Sequence, residues 1–150
     1  MQDRYLFRAK RTDTGEWVEG YYALIGNKHV IISKESEGYY TEFVEERHGY
    51  EIVNVDPLTA CQCTGLIDKN GKLIWENDIV AYYFEKTCAP IYFGSYQSCF
   101  DNTKTEHVGF YVNWNDKCNY RKDLGYWINM IEADVVGNIF DNPELLEVEE

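Results

Sequence analysis

Apolar and polar residues alternate one by one through most of this chain, and a side-chain period of two fits only an extended backbone. In "RYLFRAK", Tyr5, Phe7 and Ala9 share one face while Arg4, Leu6, Arg8 and Lys10 share the other. "RTDTG" supplies turn chemistry and "EWVEGYY" returns, which predicts an N-terminal hairpin over about 4–23. "HVIIS" (29–33), "YYTEFV" (39–44) and "EIVNV" (51–55) are further strand candidates, the last ended by Asp56-Pro57 because proline cannot donate to a ladder. The second half continues with "IVAYYFE" (79–85), "PIYFGSYQSCF" (90–100), "EHVGFYVNW" (106–114), "YWINMI" (126–131) and "VVGNIF" (135–140). In 106–114 the alternation places Val108, Phe110, Val112 and Trp114 on one face. A helix-start signal stands only in "DNPELLE", where Asp141 or Asn142 can cap, Pro143 suits the first position and Glu144 complements the dipole. The expected fold is all-β, with a short C-terminal helical turn at most.

One stretch mimics a nucleotide site. "TGLIDKNGKLIWENDIV" (64–80) holds Gly65, Gly71 and Lys72. A phosphate-cradling loop separates its glycines by four residues and follows lysine with Ser or Thr. Here five residues intervene and Leu73 follows Lys72. Asp68-Lys69-Asn70-Gly71 fits a tight hairpin connection instead, and Asn77 suits a bend that needs positive φ.

Net charge is −12, from 26 acids against 14 bases. Duplex binding works by Lys and Arg displacing counterions, so this balance argues against direct nucleic-acid binding and favours a cationic protein partner. Four of the bases, Arg4, Arg8, Lys10 and Arg11, crowd the first strand, while Asp141, Glu144, Glu147, Glu149 and Glu150 crowd the end. Five cysteines without a leading apolar segment read as reduced thiols in a cytoplasmic protein. No apolar run approaches the length of a membrane span.

Three segments together resemble the YopX family: "FRAKRTDTGEWVEGYY" near the start, "TGLIDKNGKLIWENDIV" in the middle and "DVVGNIFDNPELL" near the end. The family comprises small proteins encoded by bacteriophages and prophages. The resemblance spans essentially the whole chain and implies one YopX-like β domain over 1–150, built of several sheets with β-sandwich-like and β-barrel-like parts, and a homo-oligomeric tendency in the cytoplasm of the bacterial host. It carries no catalytic residues over. Where the family's middle block reads Glu-Gly-Asp, this chain has Glu76-Asn77-Asp78. Asparagine tolerates positive φ, so the bend is expected to survive. The region from about 86 to 125 lies between blocks and is expected to hold whatever is particular to this protein.

No constellation rises to a catalytic, cofactor or metal site. Cys61 and Cys63, two apart, fall on one strand face and read as small buried residues, because Cys88, Cys99 and Cys118 supply no second pair and His107 stands alone. His29 and His107 sit in strand patterns and His48 in a loop. The acid pairs Glu45-Glu46 and Glu76/Asp78 read as chance and as bend chemistry.

The aromatic doublets are more informative. Tyr21-Tyr22, Tyr39-Tyr40, Tyr82-Tyr83 and Tyr126-Trp127 all fall in strand candidates, where neighbours point to opposite faces. One ring of each doublet can enter the core and the other needs a cover, which makes these eight residues candidate interface aromatics. The leading expectation is a non-enzymatic, homo-oligomeric module that binds a host or phage protein. A small-ligand or nucleotide binder at subunit clefts is the alternative, and a metal-dependent hydrolase is the third reading. Neither cofactor nor metal is expected.

Overall fold

A computed structural model describes residues 2–34, 50–97, 102–115 and 120–147. Strand candidate 39–44, with Tyr39 and Tyr40, lies outside the described residues, as do Glu45, Glu46, His48, Cys99 and Cys118. The protein is all-β, with two antiparallel sheets and only short helical turns. It divides into two compact units, Met1–Cys63 and Thr64–Glu150.

In the first unit, β1 (Phe7–Lys10), β2 (Trp17–Ile25), β3 (Lys28–Lys34) and β4 (Tyr50–Asn54) form an antiparallel meander. The N-terminal hairpin is in place from Phe7, but Gln2–Tyr5, whose last two residues were expected in its first strand, is a 3-10 turn; β5 (Cys61–Ile67) returns to pair with β1 through Phe7↔Gln62 and Arg8↔Cys61. Strand β2 is shared. Its first half pairs with β1 up to Phe7↔Gly20, and its second half pairs with β3 from Tyr21↔Ile32. The changeover falls on Gly20, where a Cβ would lie 2.3 Å from the backbone oxygen of Ile32. Two strands approach this closely only if one of them lacks a side chain.

The sheet curls until the end of β4 meets β1. Arg11 and Val55 form an antiparallel bridge, the Asp56 N–H donates to Lys10 O (2.9 Å) and the Thr12 N–H donates to Asn54 O (3.1 Å). A 3-10 turn at Pro57–Thr59 then leads into β5, with Asp56 accepting from the Leu58 N–H and Thr59 Oγ1 accepting from the Lys10 N–H. The order β4-β3-β2-β1-β5 is joined by one bridge between the ends of β4 and β1 and interrupted by a 3-10 turn. The barrel-like part is therefore not a closed barrel: one bridge, not a full ladder, joins its ends. Ala9, Ile31, Val53 and Val55 fill the interior, with Phe7, Val18 and Tyr22 against them. Burying a side chain such as Ile31 or Val53 contributes about 1.5–3 kcal/mol.

In the second unit the end of β5 pairs with β6 (Leu73–Trp75). The connection is the expected turn. Asp68 Oδ1 accepts from the Asn70 and Lys72 N–H groups, and Gly71 has φ 80°. Asn77 has φ 70°, as the bend requires, and buried Asp78 accepts the Trp75 N–H (2.9 Å). The second sheet has the order β10-β7-β8-β9, from β7 (Asp78–Tyr82), β8 (Thr87–Gln97), β9 (Glu106–Val112) and β10 (Asp134–Asn138). Ile74, Val80, Ile91, Val112, Trp114 and Trp127 anchor its core.

Two further local expectations need correction. Segment 79–85 is not one long strand: β7 ends at Tyr82, and Tyr83–Lys86 is a turn with Lys86 at φ 48°. "YWINMI" is not a strand. Tyr126–Met130 is a wide helical turn in which the Ile131 N–H donates to Tyr126 O. Adjacent Trp127 and Ile128 are both buried, which a strand with its two opposite faces cannot achieve against a single core. The C-terminal turn is present at Pro143–Leu146, and it is of the 3-10 type.

Candidate binding surfaces

The basic first strand finds its purpose on the outer face of the first unit. Arg8, Lys10 and Leu6 point away from the interior, and hairpin register places Lys10 opposite Trp17 and Arg8 opposite Glu19. Arg8 Cζ lies 4.6 Å and Lys10 Nζ 5.3 Å from the Trp17 ring centre. Such contacts contribute about 0.5–1 kcal/mol each at exposed sites. Leu6, Trp17, Glu19, Gly20, Tyr21 and Ser33 line an open depression of about 550 Å³ here, where β2 turns from one partner strand to the other. Beside it runs an apolar row. Tyr21 stands opposite Ile32, and Ile32 opposite Ile52. Tyr21 is 48 % and Ile52 61 % exposed. Trp17, Ile32 and Ile52 were not singled out by the sequence reading. The signal lay in the register: a turn over 11–16 sets Trp17 across from Lys10.

The doublets behave unequally. Tyr22 enters the first core and its hydroxyl is hydrogen-bonded to His29 Nδ1, while its neighbour Tyr21 faces out. Tyr82 packs in the second core against Tyr120 and Trp127, while Tyr83 is exposed. Trp127 is core and donates its indole N–H to Arg121 O (2.6 Å), and half-buried Tyr126 carries Arg121 over its ring. One ring in and one ring out is thus the arrangement at 21–22 and 82–83, whereas 126–127 lies on the helical turn.

Beyond the reach of β7, strands β8 and β9 continue as a two-stranded ribbon. The β7 ladder on β8 stops at Ile79↔Pro90, while β8 and β9 pair on to Gln97↔Glu106. One face stacks Tyr96 between His107 (5.4 Å) and Tyr111 (5.2 Å), and Tyr96 donates to Asp123. The other face extends the core outward through Phe93, Phe110 and Val108. Val108 does share a face with Val112 and Trp114, yet it is 73 % exposed, because the ribbon outruns the residues that cover the core.

A third cluster joins Lys69, Asp134 and Tyr83. Lys69 Nζ lies 2.5 Å from Asp134 Oδ1, and Tyr83 donates to the same carboxylate. The lysine and the tyrosine hydroxyl are hydrogen-bonded to Asp134, which holds its carboxyl below the ordinary range and pushes both partners up. Every group is thus moved away from neutrality, opposite to what acid–base catalysis needs, and the cluster reads as a surface clasp. A second clasp, Arg11 with Asp13 at 2.9 Å, holds Asp13 down to about 2. Stability lent by a depressed carboxylate is present above its ordinary pKa and lost as pH falls through the lowered value. Asp134→Asn should therefore flatten the fall in melting temperature below about pH 4 relative to the unchanged chain. Parallel curves in a thermal titration would refute the clasp's contribution.

Cys61 and Cys63 are both buried, as their spacing implied. No three His, Cys, Asp or Glu side chains gather as a metal site among the described residues. No helix there is long and apolar enough to cross a membrane.

A family model described as YopX protein matches residues 6–147. The chain belongs to the YopX family. No curated protein matches it. The blocks that carry the YopX resemblance hold backbone-satisfying residues: Asp68 and Gly71 in the hairpin turn, Asn77 and Asp78 in the bend, and Asn138 near the end. Buried Asn138 accepts from the Phe140 and Asp141 N–H groups, while Asn142 accepts from the Asn138 N–H. Gly137 leaves room for that asparagine, since a Cβ there would lie 2.3 Å from Asn142 Oδ1. In this chain the YopX blocks build turns, and the exposed aromatic surfaces lie largely outside their hydrogen-bonding residues.

Proposed function

We propose that this YopX protein is a non-enzymatic binding module of phage or prophage origin, working in the cytoplasm of a bacterial host. It assembles with copies of itself and engages a host or phage protein. The observation that supports this reading is the row of exposed Tyr21, half-buried Ile32 and exposed Ile52 beside the Trp17 depression, an apolar and aromatic strip on the outside of a curled sheet. Exposed aromatics of this kind act as rigid anchors at interfaces. Contacts made through such a strip survive high salt, whereas contacts made through net charge do not. A partner captured from host lysate should therefore remain bound in high salt. It should bind roughly thirtyfold more weakly to Tyr21→Glu, as expected for an anchor worth about 2 kcal/mol. Equal capture by a Tyr21→Glu protein that melts normally would count against the reading.

Arg8 and Lys10 converging on Trp17 favour a second reading, a nucleotide whose phosphates meet the cations. Bound at 100 times its dissociation constant, a ligand adds about 2.7 kcal/mol of stability. A thermal-shift panel of nucleotides in which Arg8→Ala abolishes a wild-type shift would favour this reading over the first.

A further inference from the structure

The outer edge of β8 is the surface on which the hydrogen-bond pattern says most. Bonds between antiparallel strands alternate, so one observed bond fixes the rest. The Val112 N–H donates to Lys122 O, away from β8, and the Asn77 N–H donates to Ile91 O, away from β9. Ile91↔Val112 is therefore a non-bonded pair, and Tyr92, Gly94 and Tyr96 turn their backbone groups toward β9. Phe93, Ser95 and Gln97 turn theirs toward the opposite edge. The β7 ladder does not reach them, and all three are exposed.

Other sheet edges in the described residues are blunted in the ways proteins commonly use. Strand β10 carries a bulge between Val135 and Gly137. Strand β6 is three residues long. The end of β4 is bonded to β1. Strand β9 is covered at Tyr111 and Val112 by Asp123 and Lys122, and farther out it carries Glu106. Pro143–Leu146 lies near β8, but its own backbone N–H groups at Leu145 and Glu147 are bonded within that turn. From Ile91 to Gln97, β8 holds no charge, no proline and no bulge.

The geometry points to a second copy of this chain as the occupant of that edge, paired antiparallel about a two-fold axis at Ser95. The reason is self-complementarity. A strand whose outward-facing residues are Phe93, Ser95 and Gln97 can meet itself in reverse, with Ser95 exchanging both bonds with Ser95 of the copy and Phe93 doing so with Gln97 of the copy. The side chains then fall on one face, where the exposed Phe93 ring packs across the Gln97 stem of the copy. Charge points the same way. Two chains of net charge −12 repel, and they approach most easily where neither carries charge. A cationic partner would have nothing to pair with on β8. This inference rests on the self-assembly part of the proposed function and gives it a location and a register.

Light scattering on the full chain and two variants tests it. In Ser95→Pro the outward N–H is removed while the β8–β9 bonds made by Gly94 and Tyr96 are kept, and proline is tolerated where an edge N–H faces solvent. In Ser95→Lys a like charge is set against its own copy without touching the backbone, so it serves if the proline variant folds poorly. The expected result is a wild-type mass that is a multiple of 17.6 kDa, halved in both folded variants. The mass should be unchanged by Val108→Lys, which adds the same charge on the neighbouring strand, away from the edge. A wild-type monomer at micromolar concentration would overturn self-assembly itself. An assembly that withstands Ser95→Lys would overturn the β8 edge alone and leave self-assembly standing.

Discussion

Trp114→Ala is expected to destabilise the second unit by about 3–5 kcal/mol, the usual cost of removing a large buried aromatic. Trp114 is 2 % exposed, sits 4.8 Å from the Trp127 ring and 5.5 Å from Tyr120, and belongs to the core formed with Ile74, Ile91 and Val112. Its loss leaves a void that the flanking β-strands cannot close, because β8 and β9 are held in register from Ile91↔Val112 outward. The instructive comparison is with Phe at the same place. The Trp114 indole N–H is buried without a hydrogen-bond partner among the described residues, whereas that of Trp127 donates to Arg121 O. An unmade buried bond costs about 1–3 kcal/mol. Trp114→Phe removes that penalty along with some packing and should be close to neutral. Trp127→Phe loses a made bond as well as area and should cost more. Chemical denaturation of the three variants tests this, and a Trp114→Phe protein less stable than Trp127→Phe would contradict it.

Gly20→Ala is expected to be the most damaging small substitution in the first unit, at about 3 kcal/mol, the upper part of the range for overpacking. The added carbon meets Ile32 O at 2.3 Å and the Ile31 side chain at 2.9 Å. A carbonyl oxygen in a paired strand cannot rotate away as a side chain can. Relief has to come from separating β2 and β3 where β2 changes partners, and Tyr22↔Ile31 holds the interior together next to that point. The control is Gly15→Ala, where nothing lies within 4 Å and only the positive φ of 73° is strained, so the cost should be about 1 kcal/mol. Equal melting temperatures for the two variants would show that the seam at Gly20 yields more easily than its distances imply.

Much of this architecture is legible in the sequence, and the exceptions share a cause. The alternation in β1 to β4 and the turn chemistry of Asp68, Gly71 and Asn77 are local properties, written in neighbouring residues. The bend at Asn77 could be anticipated because positive φ selects a small set of residue types. The helical turn at Tyr126–Met130 could not. Its residues favour strands, and only the distant core that takes both Trp127 and Ile128, together with the Arg121 carbonyl, selects the tighter backbone. The same holds for the outer surfaces. That Tyr21 faces out while Tyr22 faces in follows from alternation once one ring is placed, whereas Tyr83 is exposed because it begins the turn after β7. Which ring is inside depends on partner strands far away in the chain. Trp17 with Arg8 and Lys10 was within reach, since hairpin register alone aligns them. The length of β8 beyond the β7 ladder was not, because nothing in 91–97 tells how far β7 extends alongside it.

The pairing of β1 with β5 bears on how the protein is made. Phe7 finds its partner at Gln62, and Arg11 finds its own at Val55. During synthesis the hairpins β1–β2 and β2–β3 can form as soon as they leave the ribosome, but one side of β1 stays bare until residues 55–62 have emerged. Of the strands of this unit β1 emerges first and is among the last to be completed, so Phe7 to Lys10 stay half-paired while the rest of the unit is made.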